Sequence, residues 1–316
     1  MSPNRSPARS SDDERHDSVL VDEVLAHLQP RDDGTWFDGT LGDGGHVAAI
    51  LEACHGCRVL AVDQDAEALE RARERLAEYG DRVDLRKASW DDILQGPALE
   101  VFQGALLDLG VRSAQLDRAD RGFAFTQGAP LDMRMDPHGG GESAADLLNE
   151  GSEERLKTVL HRYGEVPRAG RLARDIVRRR ERRAFSTSDD LVAALQGSLG
   201  RSPRPREKAR VFQALRMEVN DEEGALKRAL PGLRDRLRSG GVLAVIAYHS
   251  VEDRIVKQAF REWSRTCVCP PGLPVCTCRG EALGTLETRK PVWPSEEEVE
   301  RNPRARSARL RAWRKG

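Results

Sequence analysis

The sequence predicts an α/β protein, a mainly parallel sheet covered by helices on both faces and interrupted by an inserted, mostly helical domain. Three observations predict it. Strand-like and helix-like segments alternate from Thr35 to Asp108. Two runs, 104–108 and 242–248, are almost continuously apolar, as strands buried on both faces require. Between them lie about a hundred residues of a different character, first punctuated by Gly and Pro and then Arg-rich and helical.

Residues 1–15 are rich in Ser, Pro, Arg and Asp with almost nothing to bury, which reads as a disordered tail. Val19, Leu20, Val24, Leu25 and Leu28 recur at helical spacing and stop before Pro30. Thr35 to Asp38 is a short β-type run, followed by a Gly-rich turn, 39–45, and a helical stretch from His46 to Ala53. The pattern repeats, with 58–63 as a strand and 66–79 as an amphipathic helix turning Leu69, Ala72 and Leu76 inward. Segments 83–87 and 104–108 supply a third and a fourth strand. Residues 210–237 read as helical, kinked near Pro231, and lead through Gly240-Gly241 to the most apolar strand of all, 242–248, placed in the sheet interior. The sheet domain therefore comprises 16–111 and 209–316, and 112–208 is the insertion.

The charge balance of 51 basic against 52 acidic residues, net −1, gives no global attraction for nucleic acid, so any such role rests on local clusters. No apolar run approaches the roughly 20 residues of a membrane span, and the N-terminus lacks a signal-type stretch, so a cytoplasmic protein without membrane partners is expected. Six cysteines in a reducing compartment are expected as thiols or metal ligands rather than a disulfide framework. Cys267-Val268-Cys269 and Cys276-Thr277-Cys278 flank a Pro-rich turn. Their C-x-C spacing favours structural thiols over zinc, which stays the alternative. Cys54 and Cys57 receive no role, and no catalytic metal is expected.

The loop Asp38-Gly39-Thr40-Leu41-Gly42-Asp43-Gly44-Gly45-His46 joins a strand to a helix at the carboxyl edge of a parallel sheet, where α/β proteins bind ligands. It reads as a tight turn or as a cofactor loop. Four glycines in seven residues are costly in chain entropy for a mere turn and favour the latter. It is not the dinucleotide fingerprint G-x-G-x-x-G, because the third glycine falls on Val47. Asp63 ends the second strand, where a carboxylate accepts hydrogen bonds from the ribose hydroxyls of an adenosine-type cofactor. A turn or helix cap is the plainer reading of an Asp there, and Asp65 is available for that part. Trp90, after the third strand, reads equally as an adenine platform or a core aromatic. Loop, carboxylate and aromatic follow three successive strands in the order a nucleotide site requires.

Several separated blocks together make the chain resemble the ribosomal RNA small-subunit methyltransferase H family (RsmH/MraW). They include His16-Asp17-Ser18-Val19-Leu20, Gly44-Gly45-His46, Leu107-Asp108-Leu109-Gly110 through Gln115-Leu116-Asp117, and Pro130-Leu131-Asp132-Met133-Arg134-Met135-Asp136. Phe212-Gln213-Ala214-Leu215-Arg216, Val219-Asn220, Tyr248-His249-Ser250-Val251-Glu252-Asp253-Arg254 and 294–307 complete the match. Trp90 and Tyr248 stand where Phe is usual in the family, and Arg112 and Ala114 replace small and Pro residues.

The resemblance implies a Rossmann-like class I methyltransferase with S-adenosylmethionine as methyl donor, contacted by Gly44, Gly45, His46, Asp63, Trp90, Asp108 and Gln115. It implies 16S rRNA as substrate, in the small ribosomal subunit or a late assembly intermediate, with the methyl placed on the exocyclic N4 amino group of a decoding-centre cytidine. Asp108, at the end of the fourth strand, is the expected holder of that amino group. His249 is a second expected proton acceptor, against a helix-capping reading of the same segment. A DNA amino-methyltransferase would carry an Asp/Ser/Asn-Pro-Pro-Tyr/Phe block after the fourth strand. Asp108-Leu109-Gly110 stands there instead, so no DNA partner is expected. A non-catalytic RNA-binding scaffold would have lost the glycine loop or Asp63. The insertion holds Arg168, Arg171, Arg174, Arg178, Arg179, Arg180, Arg182 and Arg183 against only Asp175 and Glu181, which suits phosphate contacts, as do 201–210 and the tail 301–315.

Overall fold

Alternation inside the two apolar runs builds the core. Leu106, Val242, Ala244 and Ile246 turn to one face of the sheet and meet Val47, Ile50 and Leu51. Ala105, Leu107, Leu243, Val245 and Ala247 turn to the other and meet Leu226, Leu230, Val256 and Phe260. The period of two thus feeds two separate apolar layers from one strand. The computed structural model describes residues 18–95, 101–110, 122–123, 125–136, 140–270, 275 and 277–316. Residues 1–15, Arg112, Ala114, Gln115 and Cys276 lie outside the described residues. No described helix is long and apolar enough to cross a membrane.

In chain order the first half comprises α1 (Val21–Leu28), β1 (Thr35–Asp38), α2 (Gly45–Ala53), β2 (Arg58–Asp63), α3 (Ala66–Arg75), β3 (Val83–Lys87), α4 (Trp90–Gln95) and β4 (Phe102–Asp108). Among the described residues five helices follow: α5 (Ala144–Glu150), α6 (Glu153–Arg162), α7 (Ala169–Arg180), α8 (Ser188–Leu199) and α9 (Pro205–Val219). The chain closes with α10 (Glu222–Arg236), β5 (Leu237–Ala247), α11 (Ser250–Trp263), β6 (Gly284–Leu286), α12 (Glu296–Arg301) and β7 (Arg309–Lys315). The sheet order is β3-β2-β1-β4-β5-β7-β6. Pairing is parallel from β3 to β5, and β7 runs antiparallel to both β5 and β6.

The predicted parallel α/β sheet is the observed one, with its first four strands at or within two residues of the expected positions. The last apolar strand starts earlier than expected, at Leu237, and the helix expected over 66–79 ends at Arg75; two further features differ in kind. The segment 210–237 is two helices, broken at Asn220 and Asp221, the latter in the left-handed region (φ 45°), while Pro231 sits inside α10. The terminal segment, read as a basic tail, is strand β7. Arg309 and Arg311 alternate with Leu310 and Ala312 ahead of the buried Trp313, an apolar content that the charge count hid. Arg311 is buried against Asp253 at 2.6 Å, Arg314 bonds Glu287, and Lys315 Nζ donates to Leu237 O at 2.7 Å.

Helices α5 to α9 enclose a third apolar cluster with Leu147, Leu156, Leu160, Leu172, Ile176, Leu191, Phe212 and Leu215. Ser143 and Asp146 close a capping box on α5, as do Thr187 and Asp190 on α8. Helix α9 reaches both clusters, since Phe212 and Leu215 face the helical cluster while Met217 faces the sheet.

Trp313 fastens the antiparallel edge. Its ring centroid lies 5.1 Å from Trp263 and 6.4 Å from Phe260, and Nε1 donates to Ser264 Oγ at 3.1 Å. Trp313→Ala is expected to destabilise the protein by about 3–5 kcal/mol, the usual cost of emptying a fully packed aromatic site. Urea unfolding followed by circular dichroism measures it, and an unchanged midpoint would mean that the last strand is dispensable.

Candidate active site

The strand order reverses between β1 and β4, since β2 and β3 extend the sheet on one side of that pair and β5 on the other. Loops leaving the carboxyl ends of such a pair diverge and leave a crevice. Here Gly39 N donates to Leu106 O at 3.0 Å, Leu41 N to Val62 O at 3.0 Å and Leu109 N to Ile246 O at 2.9 Å, so each loop is tied to the neighbouring strand. The cleft between them is lined by Gly45, His46, Asp63, Trp90 and Asp108, five of the seven residues expected at the cofactor. Gly44 caps α2 beside it, and Gln115 lies outside the described residues.

The glycine loop is held from below. Asp38 Oδ1 accepts from Thr40 N at 2.8 Å and from Thr40 Oγ1 at 3.2 Å, and Thr40 Oγ1 in turn accepts from Asp108 N at 2.6 Å. Gly44 takes a left-handed conformation (φ 79°) to start α2, which favours glycine, and a Cβ on Gly45 would meet Ser18 Oγ and displace that side chain. Asp63 Oδ2 accepts from Gly42 N at 3.0 Å and Oδ1 from Asp65 N at 2.9 Å, while Asp65 caps α3 through Glu67 N. The cap and the strand-end carboxylate are thus separate residues. Trp90 Nε1 donates to the Gly39 carbonyl, which fixes the ring beside the loop.

Behind the loop four polar side chains are packed together. His46 Nε2 lies 3.5 Å from Asp108 Oδ2, and Tyr248 Oη donates to Asp108 Oδ1 at 3.0 Å. Burial pushes the Asp38 carboxyl up to about 6, against the lowering pull of His46 and the Thr40 hydrogen bonds. Burial also pulls His46 down, but Asp108 and Asp38 outweigh it and its pKa ends above 6.5. Burial, then the Asp108 charge, push the Tyr248 phenol well above its ordinary value, so it stays a donor. Asp108 itself keeps 23% of its side chain exposed to the cleft.

His249 is placed elsewhere. It caps α11, with Nδ1 3.4 Å from Glu252 N and Nε2 2.9 Å from Glu252 Oε1, so both ring nitrogens turn to Glu252. It is not among the residues lining the cleft, whereas Tyr248 and Glu252 are. Burial raises the Glu252 pKa, but His249, Arg216 and the Tyr248 amide lower it more, leaving it below its usual value. From the helical side, Met135 and Asn220 reach the cleft, joined where Asn220 Oδ1 accepts from Met135 N at 2.7 Å and Asn220 Nδ2 donates to Met133 O at 2.8 Å. Sequence reasoning assigned no role to Asp38, Thr40 or Asn220. The motif Asp38-Gly39-Thr40 carried the first two, since an Asp two residues before Thr is an Asx-turn pattern.

Among the described residues, two groups bring three candidate metal-ligand atoms within 4.8 Å of one another: Glu222, His249 and Glu252, and Cys267, Cys269 and Cys278. The first is committed to other partners, because Glu222 holds Arg216 at 2.7 and 2.9 Å and Glu252 holds the α11 cap. Cys54 and Cys57, expected as thiols, are joined in a disulfide at the end of α2; both are buried and their Cα atoms are 5.7 Å apart. The Arg-rich insertion is more internally paired than its composition suggests. Arg179 bonds Asp175 at 2.6 Å, and Arg180 donates to the carbonyls of Leu148 and Gly151 at 3.0 and 2.6 Å, tying α7 to the turn between α5 and α6. Arg174, Arg178 and Arg183 keep most of their side chains exposed.

The raised carboxyl of Asp38 has a stability signature. The folded chain binds its proton more tightly than the unfolded chain, so the stabilisation is present below pH 3.8 and lost as pH rises through about 6. Asp38→Asn keeps an oxygen for Thr40 but cannot ionise. Its stability relative to the parent is expected to rise between pH 4 and pH 7 by up to about 3 kcal/mol, two pK units' worth. Urea titrations across that range measure the difference, and a pH-independent difference would mean that the carboxyl is not buried as described.

Comparison with known proteins gives the arrangement a lineage. Residues 13–316 match the family model described as the MraW methylase family. A protein of Gemmatimonas aurantiaca called ribosomal RNA small subunit methyltransferase H is 52% identical, over 99% of both chains. Proteins of the same name from Heliobacterium mobile and Brevibacillus brevis are 45% and 44% identical, covering 95% and 94% of this chain and 98% and 96% of theirs. With the glycine loop, the strand-end carboxylate and the switch-point cleft in one sheet, the chain belongs to the MraW methylase family and is a methyltransferase that draws its methyl group from S-adenosylmethionine.

Proposed function

We propose that this chain methylates the exocyclic N4 amino group of a cytidine in small-subunit ribosomal RNA, the cytosine at position 1402 of 16S rRNA. The observation that carries the reading is the Asp108 carboxylate, which lies at the switch-point edge of β4 with one oxygen bonded by Tyr248 and the other facing His46, its remaining surface open to the cleft. The relatives' shared name supports rRNA as the substrate.

The donor set fits S-adenosylmethionine. Two backbone amides, of Gly42 and Asp65, hold the Asp63 carboxylate at the end of β2, the position from which a strand-end carboxylate meets the donor's ribose. The amino end of α2, opened by Gly44 and Gly45, suits the donor's carboxylate, and the Trp90 ring is held for the adenine. When bound, S-adenosylmethionine supplies a methyl group already activated on a sulfonium.

A cytosine amino nitrogen is a weak nucleophile because its lone pair is delocalised into the ring. Asp108 accepts one of its N–H bonds, aims the nitrogen, and takes the proton released as the N–C bond forms and the C–S bond breaks. The Leu109 carbonyl serves as a second acceptor. His249 acts at one remove, as a positioning residue, by fixing Glu252 and the start of α11 beside Tyr248. The target base is unstacked into the cleft, past Met135 and Asn220, and the exposed Arg174, Arg178 and Arg183 contact phosphates of the particle, whether a mature subunit or a late assembly intermediate.

The test is nucleoside mass spectrometry on small-subunit particles lacking base methylation, incubated with the protein and labelled S-adenosylmethionine. Labelled N4-methylcytidine is expected, and unlabelled RNA despite donor binding would overturn the substrate assignment. Asp108→Ala is expected to abolish the label while still binding the donor. Asp63→Ala is expected to weaken donor binding roughly 10- to 100-fold, the value of one or two charge-assisted hydrogen bonds, as read by calorimetry. Tyr248→Phe is expected to lower kcat about tenfold with little change in donor affinity.

A further inference from the structure

The chain leaves α11 at Trp263 and returns at Leu283, whose amide donates to Trp263 O at 2.8 Å. The described residues between them include no helix or strand, and none of them is buried. The described part of this connection has neither secondary structure nor buried residues, and a long connection of that kind needs another source of order. Arg279 supplies part of it, with Nε donating to Glu281 O and Nη2 to Arg265 O, at 3.0 and 3.1 Å.

Three cysteines of the segment come together as well. Cys267 and Cys269 come from the outgoing arm and Cys278 from the returning arm, and their sulfurs all lie within 4.8 Å of one another. The sulfurs of Cys278 and Cys267 are 3.9 Å apart. Thiolates held about 2.3 Å from one tetrahedral zinc ion stand roughly 3.8 Å from each other, so this edge already has the length a shared ion imposes. A disulfide would bring two sulfurs to about 2 Å and leave the third without a function. The Val268 amide donates to Cys278 Sγ at 3.3 Å, an N–H directed at a sulfur of the kind that steadies a metal-bound thiolate.

We propose that Cys267, Cys269 and Cys278 bind a structural zinc ion that fastens the segment 264–283 between α11 and β6. The three thiols lose their protons on binding and no electron is transferred, so the site is a staple and not a redox centre. The segment leaves α11 directly after Trp263, whose ring packs against Trp313 of β7.

The experiment uses the untagged full chain, purified with reductant and without chelator, stripped of metal and reconstituted with ZnCl2. Elemental analysis is expected to give one zinc per chain, and the paired Cys267→Ser/Cys278→Ser change is expected to reduce it more than tenfold. Cobalt(II) in place of zinc is expected to give an intense thiolate charge-transfer band in the parent chain, which serves as the readout should the variant fail to fold. Limited proteolysis of the chelated parent is expected to cut within 264–283, and added ZnCl2 to suppress that cut. A parent chain that stays below a tenth of a zinc per chain after reconstitution, or that shows no thiolate–cobalt band, overturns the proposal.

Discussion

The cleft depends on one carboxylate being held from two sides. Asp108 ends β4 next to the reversal of strand order, and the parallel pairing of β4 with β5 brings Tyr248 to its Oδ1, while α2 brings His46 to its Oδ2. Neither partner is close in sequence, so the carboxylate can be aimed only once the sheet is assembled. The same assembly buries Asp38 beneath the loop, and its cost is moderated by the His46 imidazole and the Thr40 hydrogen bonds. A buried carboxyl with a raised pKa is retained because it shapes the loop: its Thr40 contacts also hold the amide of Asp108.

The helical insertion is coupled to this centre through polar contacts as well as through the apolar residues of α9. Asn220 pins the backbone at Met133 and Met135, and Lys87 at the end of β3 reaches Asp136 at 3.3 Å. Arg216 on α9 is buried against Glu222, and its charge helps hold Glu252 ionised at the start of α11. A motion of α9 would therefore be felt at the cap beside Tyr248. That gives a physical route from the insertion to the cleft.

Much of the fold was legible because the parallel strands are short apolar runs and the helices are strongly periodic. Asp38, Asp63 and Asp108 each close such a run, which made strand ends readable to the residue. What was not legible has identifiable causes. Strand β7 carries Arg309, Arg311, Arg314 and Lys315, so composition suggested a tail, and only its antiparallel pairing with β5 and β6, with Arg311 on Asp253 and Trp313 buried, shows it to be a strand. Arg180 looked like a phosphate ligand because its carbonyl partners, Leu148 and Gly151, are invisible until α5 and α7 pack. His249 looked like a base because its spacing to Glu252 fits both a proton relay and an N-cap, and only the orientation of the ring separates the two.

Tyr248 shows how a conservative exchange gains content in three dimensions. As an aromatic at a position where the family usually has Phe, it fills the same space, and sequence reading treats the exchange as neutral. Buried where it is, the added hydroxyl needs a partner, and its partner is Asp108. A phenol kept protonated by burial and by the neighbouring carboxylate can only donate to it, so it holds the Asp108 oxygen in place without competing for the substrate's proton. The hydroxyl therefore belongs with the carboxylate proposed as the acceptor, and it links the most apolar strand of the sheet to the polar floor of the cleft.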